Sequence, residues 1–157
     1  MSDFVISVAV DASQQTVFDY LADATRTPEW YEAVRSALKT SEGPTGEGTR
    51  FTITRMLPQG EVINDVEISE FRDPDLVTFA SRSGPTPFVY RYRVEAAPGG
   101  SRVTLEGSIC GGGLAGPAAL LGAFSDRLFA RGMTKNLEIL KVRLESQVMI
   151  RSHVSRL

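Results

Sequence analysis

Between Arg35 and Ile109 apolar and polar residues alternate with a period of two, and from Pro117 the period changes to that of one long helix. Only short turns interrupt the alternating stretch. Ser36–Thr40 ends at Gly43-Pro44 and Gly46, Thr49–Leu57 at Pro58-Gln59-Gly60, and Glu61–Phe71 at Asp73-Pro74-Asp75. Leu76–Arg82 ends at Gly84-Pro85, and Phe88–Glu95 is joined to Arg102–Ile109 by Pro98-Gly99-Gly100. Strands joined by connections this short run antiparallel, since a parallel return needs a crossover of a dozen residues or more. A sheet built this way has one apolar face, here rich in Phe, Tyr, Val and Leu, which must be covered. The helical segment from Pro117 to about Gln147 carries the matching stripe: Leu121, Phe124, Leu128, Met133, Leu137, Leu140 and Leu144. A second row, Ala118, Gly122, Ser125, Phe129, Gly132 and Asn136, is small or mildly polar. It suits either close packing or room for a ligand.

Before the alternation, Phe4–Val10 reads as a strand. Asp11-Ala12-Ser13 then caps a short helix with Val17, Phe18 and Leu21 on one face. Thr27-Pro28 predicts a second short helix, with threonine as cap, proline at the first helical position, and Trp30, Tyr31 and Val34 as its apolar side. The expected order is one strand, two short helices, six strands and a long helix. It makes an α+β fold in which a seven-stranded antiparallel sheet curls around the C-terminal helix, with the short helices plugging one end. The junction Cys110-Gly111-Gly112-Gly113-Leu114-Ala115-Gly116-Pro117 joins sheet to helix with little side-chain bulk, and Gly111, Gly112 and Gly113 are the candidate gate. One domain over residues 1–147 with a tail at 148–157 is expected, and 157 residues suffice for a substantial core.

The composition narrows the function classes. Net charge is -2 with no Lys/Arg cluster, which argues against nucleic acid. Cys110 is the only cysteine, so neither an intrachain disulfide nor a cysteine-based zinc cluster can form. This fits a reducing cytoplasm. The start, Met1-Ser2-Asp3-Phe4, does not read as a signal peptide, and no apolar run is long enough to span a membrane. The expected state is a cytoplasmic monomer or homodimer, with neither cofactor nor metal. The single histidine, His153, lies in the tail and is not a candidate nucleophile partner or ligand. The glycine cluster lacks the lysine and hydroxyl of a phosphate loop.

Several segments resemble one superfamily. They are Val8-Ala9-Val10-Asp11-Ala12-Ser13 with Val17-Phe18-Asp19-Tyr20-Leu21-Ala22-Asp23, then Pro28-Glu29-Trp30 and Gly46-Glu47-Gly48-Thr49-Arg50-Phe51. Gly100-Ser101-Arg102-Val103-Thr104-Leu105, the glycine-rich junction and the closing Asn136-Leu137-Glu138-Ile139-Leu140-Lys141 follow. In this order they resemble the START-like, or polyketide cyclase/dehydrase, superfamily over about Phe4 to Glu145. The resemblance implies a helix-grip fold around a hydrophobic cavity. It implies much less about activity, because the fold hosts lipid carriers, receptors, chaperones and true aromatase/cyclases.

Strand parity and helix periodicity nominate Trp30, Phe51, Ile53, Arg55, Asn64, Val66, Phe79, Phe88, Tyr90, Tyr92, Leu105, Leu121, Ser125, Leu128 and Phe129 as cavity lining. Arg55 shares the parity of Phe51 and Ile53, and a buried guanidinium needs a carboxylate, a carbonyl or an anionic ligand. Asn64 is the polar member of the Val62, Val66, Ile68 row. Asp65, Glu67, Glu95 and Glu106 fall on the opposite, solvated parity. Two functions stay open on these residues. One is binding or transport of a hydrophobic small molecule, such as a lipid, quinone or polyketide-like aromatic. The other is a polyketide cyclase or dehydratase in which Arg55 holds an enolate oxygen and Tyr90 or Tyr92 donates a proton.

Overall fold

The computed structural model describes residues 2–58, 60–85, 87–109 and 122–155; side chains are described except for those of residues 2, 122–129 and 151–155. Seven strands form one antiparallel curved sheet in the order β1-β7-β6-β5-β4-β3-β2. They are β1 Ser2–Val10, β2 Val34–Lys39, β3 Arg50–Leu57, β4 Gly60–Arg72, β5 Leu76–Ser83, β6 Phe88–Ala97 and β7 Gly100–Ile109. β2 to β7 are a meander of neighbours, and β1 returns to pair with β7 from Ser2↔Ile109 to Val10↔Ser101. The period-two pattern appears directly as burial. On β6, Phe88, Tyr90, Tyr92 and Val94 are buried while Val89 and Glu95 are exposed.

Helix α1, Gln14–Ala22, starts where the Ser13 hydroxyl accepts the Thr16 N–H at 3.2 Å, and it buries Val17, Phe18 and Leu21 as expected. Gln14 fastens it to the sheet by donating from Nε2 to Asp75 Oδ1 at 2.8 Å and to the Val94 carbonyl at 2.9 Å.

The second short helix departs from expectation. It is a 3-10 helix over Ala24–Glu29, capped not by Thr27 but by Asp23, whose Oδ1 accepts the Thr25 N–H at 3.1 Å. Proline 28 lies inside it. The N–H groups of Trp30 and Tyr31 both return to the Thr27 carbonyl, at 3.2 and 2.8 Å, and close the turn. Val34 is therefore the first residue of β2 rather than part of a helix face.

The long helix α2 is described over Gly122–Ser155, about 51 Å at 1.5 Å per residue. It runs past the Gln147 boundary expected from the sequence. Met133, Leu137, Leu140 and Leu144 are at most 2% exposed and form the gripping stripe, and the helix packs along β1. Two polar ties hold it. Glu145 accepts the Asp11 N–H at 2.9 Å and pairs with Lys141 at 2.6 Å, and Asn136 Oδ1 accepts the Glu32 N–H at 3.2 Å. The Lys141 ammonium and the Asp11 N–H hold the Glu145 carboxyl below its ordinary pKa.

Candidate functional site

Two adjoining spaces lie between the concave face of the sheet and the elements that cover it. The inner chamber is lined by Leu21 and Ala24 from the plug, by Thr27, Trp30, Tyr31 and Val34 from the following turn, and by Ile53, Arg55, Val66, Phe79, Phe88, Tyr90 and Tyr92 from the sheet. Its volume is about 40 Å³. That is room for roughly three waters at 10–15 Å³ each. The outer cleft, about 390 Å³, lies among Tyr31, Glu32, Ala33, Arg35, Arg55, Met56, Leu57, Gly132, Met133 and Asn136. Tyr31 and Arg55 border both spaces.

The chamber wall carries two groups of packed rings. Phe88 stacks on Tyr90 at 4.7 Å, Phe79 meets Tyr92 at 6.1 Å, and Trp30 meets Tyr92 edge-on at 6.2 Å and Tyr31 at 5.9 Å. Such pairs add about 0.5–1.5 kcal/mol beyond the area they bury. The Tyr31 and Tyr90 hydroxyls stand 3.5 Å apart, longer than a formed O–H···O bond. Burial pushes the Tyr90 and Tyr92 hydroxyls well above the ordinary tyrosine pKa, so both stay protonated at neutral pH. Trp30 Nε1 is buried and meets no acceptor among the described residues.

Arg55 is 6% exposed and is the one buried charged side chain among the described residues. The strand register explains its surroundings. Ile53 pairs with Asn64 across β3 and β4, so Asn64 is the diagonal inward neighbour of Arg55. Asn64 Oδ1 accepts Arg55 Nε at 3.1 Å and Nη2 at 2.6 Å, and Nη2 also donates to the Pro85 carbonyl at 3.3 Å. On its other side Asn64 Nδ2 donates to the carbonyls of Ser83 at 3.2 Å and Pro85 at 3.0 Å.

The β5–β6 turn reaches these groups because Gly84 has φ +102° and lies so close to β4 that a Cβ would sit 2.3 Å from the Ile63 carbonyl. Only glycine takes that conformation at that distance. The guanidinium lies 5.3 Å over the Phe88 ring, which attracts it through the ring quadrupole. No carboxylate among the described residues pairs with it. Glu32, the acid of the outer cleft, is turned to Lys135 at 3.3 Å.

Eight of the expected residues line the chamber: Trp30, Ile53, Arg55, Val66, Phe79, Phe88, Tyr90 and Tyr92. Three do not. Phe51 and Leu105 are at most 1% exposed in the core, and Asn64, at 0%, sits behind Arg55 rather than on the chamber surface. Leu121 and the gate at Gly111, Gly112 and Gly113 lie outside the described residues, as do the side chains of Ser125, Leu128 and Phe129. Leu21, Ala24, Thr27, Tyr31 and Val34 were not among the expected lining. Reading Thr27–Val34 as a helix hides Thr27 and Val34, Leu21 falls on the apolar face of α1, and Tyr31 is expected beside Trp30 on the second helix, where the two could gate the cavity. Asn136, from the row of small residues, uses its amide to tie α2 to Glu32. Asp65, Glu67 and Glu106 stand on the outer face beside Thr52, Arg82 and Arg93.

Residues 1–145 match the family described as polyketide cyclase / dehydrase and lipid transport. The chain belongs to this family. Solved structures of the same fold include the di-domain ARO/CYC StfQ from the steffimycin biosynthetic pathway, with a TM-score of 0.74 and 15% identity. That match covers 94% of this chain and 51% of StfQ, so the chain spans about half of that protein. A START superfamily protein from Mycobacterium smegmatis matches with a TM-score of 0.72 at 12% identity, over 92% of this chain and 98% of its own. TTHA0849 from Thermus thermophilus matches with 0.70 at 20% identity, over 96% and 99%. These likenesses show the fold. No sequence among the curated proteins matches the chain. Among the described residues no helix is long and apolar enough to cross a membrane.

Proposed function

We propose that this family member binds a hydrophobic small molecule of the lipid, quinone or polyketide-like aromatic kind between its sheet and its long helix. The observation that carries this reading is the aromatic chamber: its lining is apolar except for Thr27, Arg55 and the tyrosine hydroxyls, and it adjoins an outer cleft large enough to admit a ligand. At about 40 Å³ the chamber itself holds no such molecule. Binding therefore requires Tyr31 and its neighbours to move, or the ligand to lie partly in the outer cleft. A panel of fatty acids, quinones and aromatic polyketides, tested for displacement of a lipophilic dye and for thermal stabilisation, checks the reading. A ligand at a hundredfold its Kd adds about 2.7 kcal/mol of stability. A panel that yields neither displacement nor stabilisation contradicts it.

A cyclase or dehydratase reading draws on one specific observation: Tyr31, Tyr90 and Arg55 border a single chamber, offering two hydroxyl donors and a cation to a carbonyl that is becoming an enolate. Burial keeps Tyr90 and Tyr92 protonated, so their hydroxyls can offer hydrogen bonds to such an oxygen. No Asp, Glu or His is among the described lining residues. Binding without turnover asks less of these residues and is the first reading.

A further inference from the structure

We propose that the ligand is an anion, and that Asn64 selects it by holding Arg55 in place without neutralising it. The inference rests on the binding reading above and names the class of molecule bound. Three N–H groups of the Arg55 fork are taken by Asn64 and the Pro85 carbonyl, all uncharged acceptors. A guanidinium has five. No acceptor among the described residues meets the two on Nη1, and Arg55 borders both chamber and cleft. Buried cations are ordinarily paired with a charge, because desolvating an ion is costly.

Here the diagonal position on β4 holds an amide where a carboxylate of nearly the same shape would complete an ion pair. The amide is also fitted to its place: Nδ2 donates to the Ser83 and Pro85 carbonyls, which a carboxylate would repel. Asn64 thus fixes the fork and leaves its charge to an incoming carboxylate, sulfonate or enolate oxygen. The cleft has the same sign. Arg35 and Arg55 line it, and Glu32, the one acid among its described lining residues, faces Lys135.

The test uses two dyes with one skeleton, anilinonaphthalene sulfonate and its uncharged parent phenylnaphthylamine. Each is titrated into the full chain, and the affinity ratio of anion to neutral is read. A charge-assisted contact is worth about 1.5–3 kcal/mol, so the ratio is expected to fall roughly tenfold or more in Asn64→Asp. Arg55→Gln, which lacks the charge and does not depend on how well Asn64→Asp folds, is expected to lower it equally. A ratio within about twofold of wild type in both variants overturns the proposal. Asp126, the one acid between residues 110 and 129, has its side chain outside the description. An unchanged ratio in Asp126→Asn supports the proposal, and a ratio that rises there identifies Asp126 as the counter-ion and overturns it. If neither dye binds the wild type, the cavity reading itself fails. If both bind and the ratio ignores the substitutions, only the anion assignment fails.

Discussion

Gly107 on β7 lies opposite Phe4 on one side and Tyr90 on the other. A Cβ there would fall 2.3 Å from the Phe4 ring, so the glycine is what lets Phe4 lie across the strand and meet Tyr90 edge-on at 6.2 Å. Gly107→Ala is expected to displace that ring and cost about 1–3 kcal/mol, read as a lower denaturation midpoint at unchanged slope. An unchanged midpoint would show that the ring moves freely. Tyr90 and Tyr92 make a second prediction. Their pKa values are raised in the fold above those of the unfolded chain, so their neutral forms contribute stability that is complete below about pH 10 and declines as pH rises further. Tyr20, raised to about 12 by burial and then by Glu29, acts in the same window. Tyrosinate absorbance for Tyr90 and Tyr92 should appear together with loss of the sheet signal in circular dichroism. Ionisation of both in an intact fold would contradict their burial.

At the scale of elements, α2 is fixed by one narrow stripe. Leu140 is 0% exposed, whereas Val142, two residues on, is 62% exposed. Leu140→Ala should cost about 2–5 kcal/mol and Val142→Ala no more than about 0.5, both measured by chemical denaturation. Equal costs would mean that the helix is held by something other than the stripe. This stripe was legible in the sequence because a period near 3.6 survives at Met133, Leu137, Leu140 and Leu144, as the strands were legible from period two. The segment Ala24–Val34 was not. It is a 3-10 turn whose ends are set by Asp23 and by two N–H groups sharing the Thr27 carbonyl, and neither leaves a periodic trace. Threonine before proline is a sound cap signal that a stronger cap four residues earlier overrode.

For the whole molecule, what parity could tell was which side chains enter the concave face, and Arg55 and the ring set on β5 and β6 followed from it. What parity could not tell was depth. Phe51, Leu105 and Asn64 have the same inward parity as the lining residues, yet they are packed behind others, because curvature and register decide who reaches the chamber. The partner of Arg55 was likewise invisible in one dimension: it takes the β3–β4 register to make Asn64 the diagonal neighbour.

The central claim is that the space between sheet and helix takes up a hydrophobic small molecule. Native mass spectrometry of protein purified without detergent tests it most directly. The account predicts a one-to-one adduct of small-molecule mass that disappears on extraction with organic solvent and returns when the extract is added back. The bare chain mass, with no adduct regained from the extract or from the ligand panel, would contradict it.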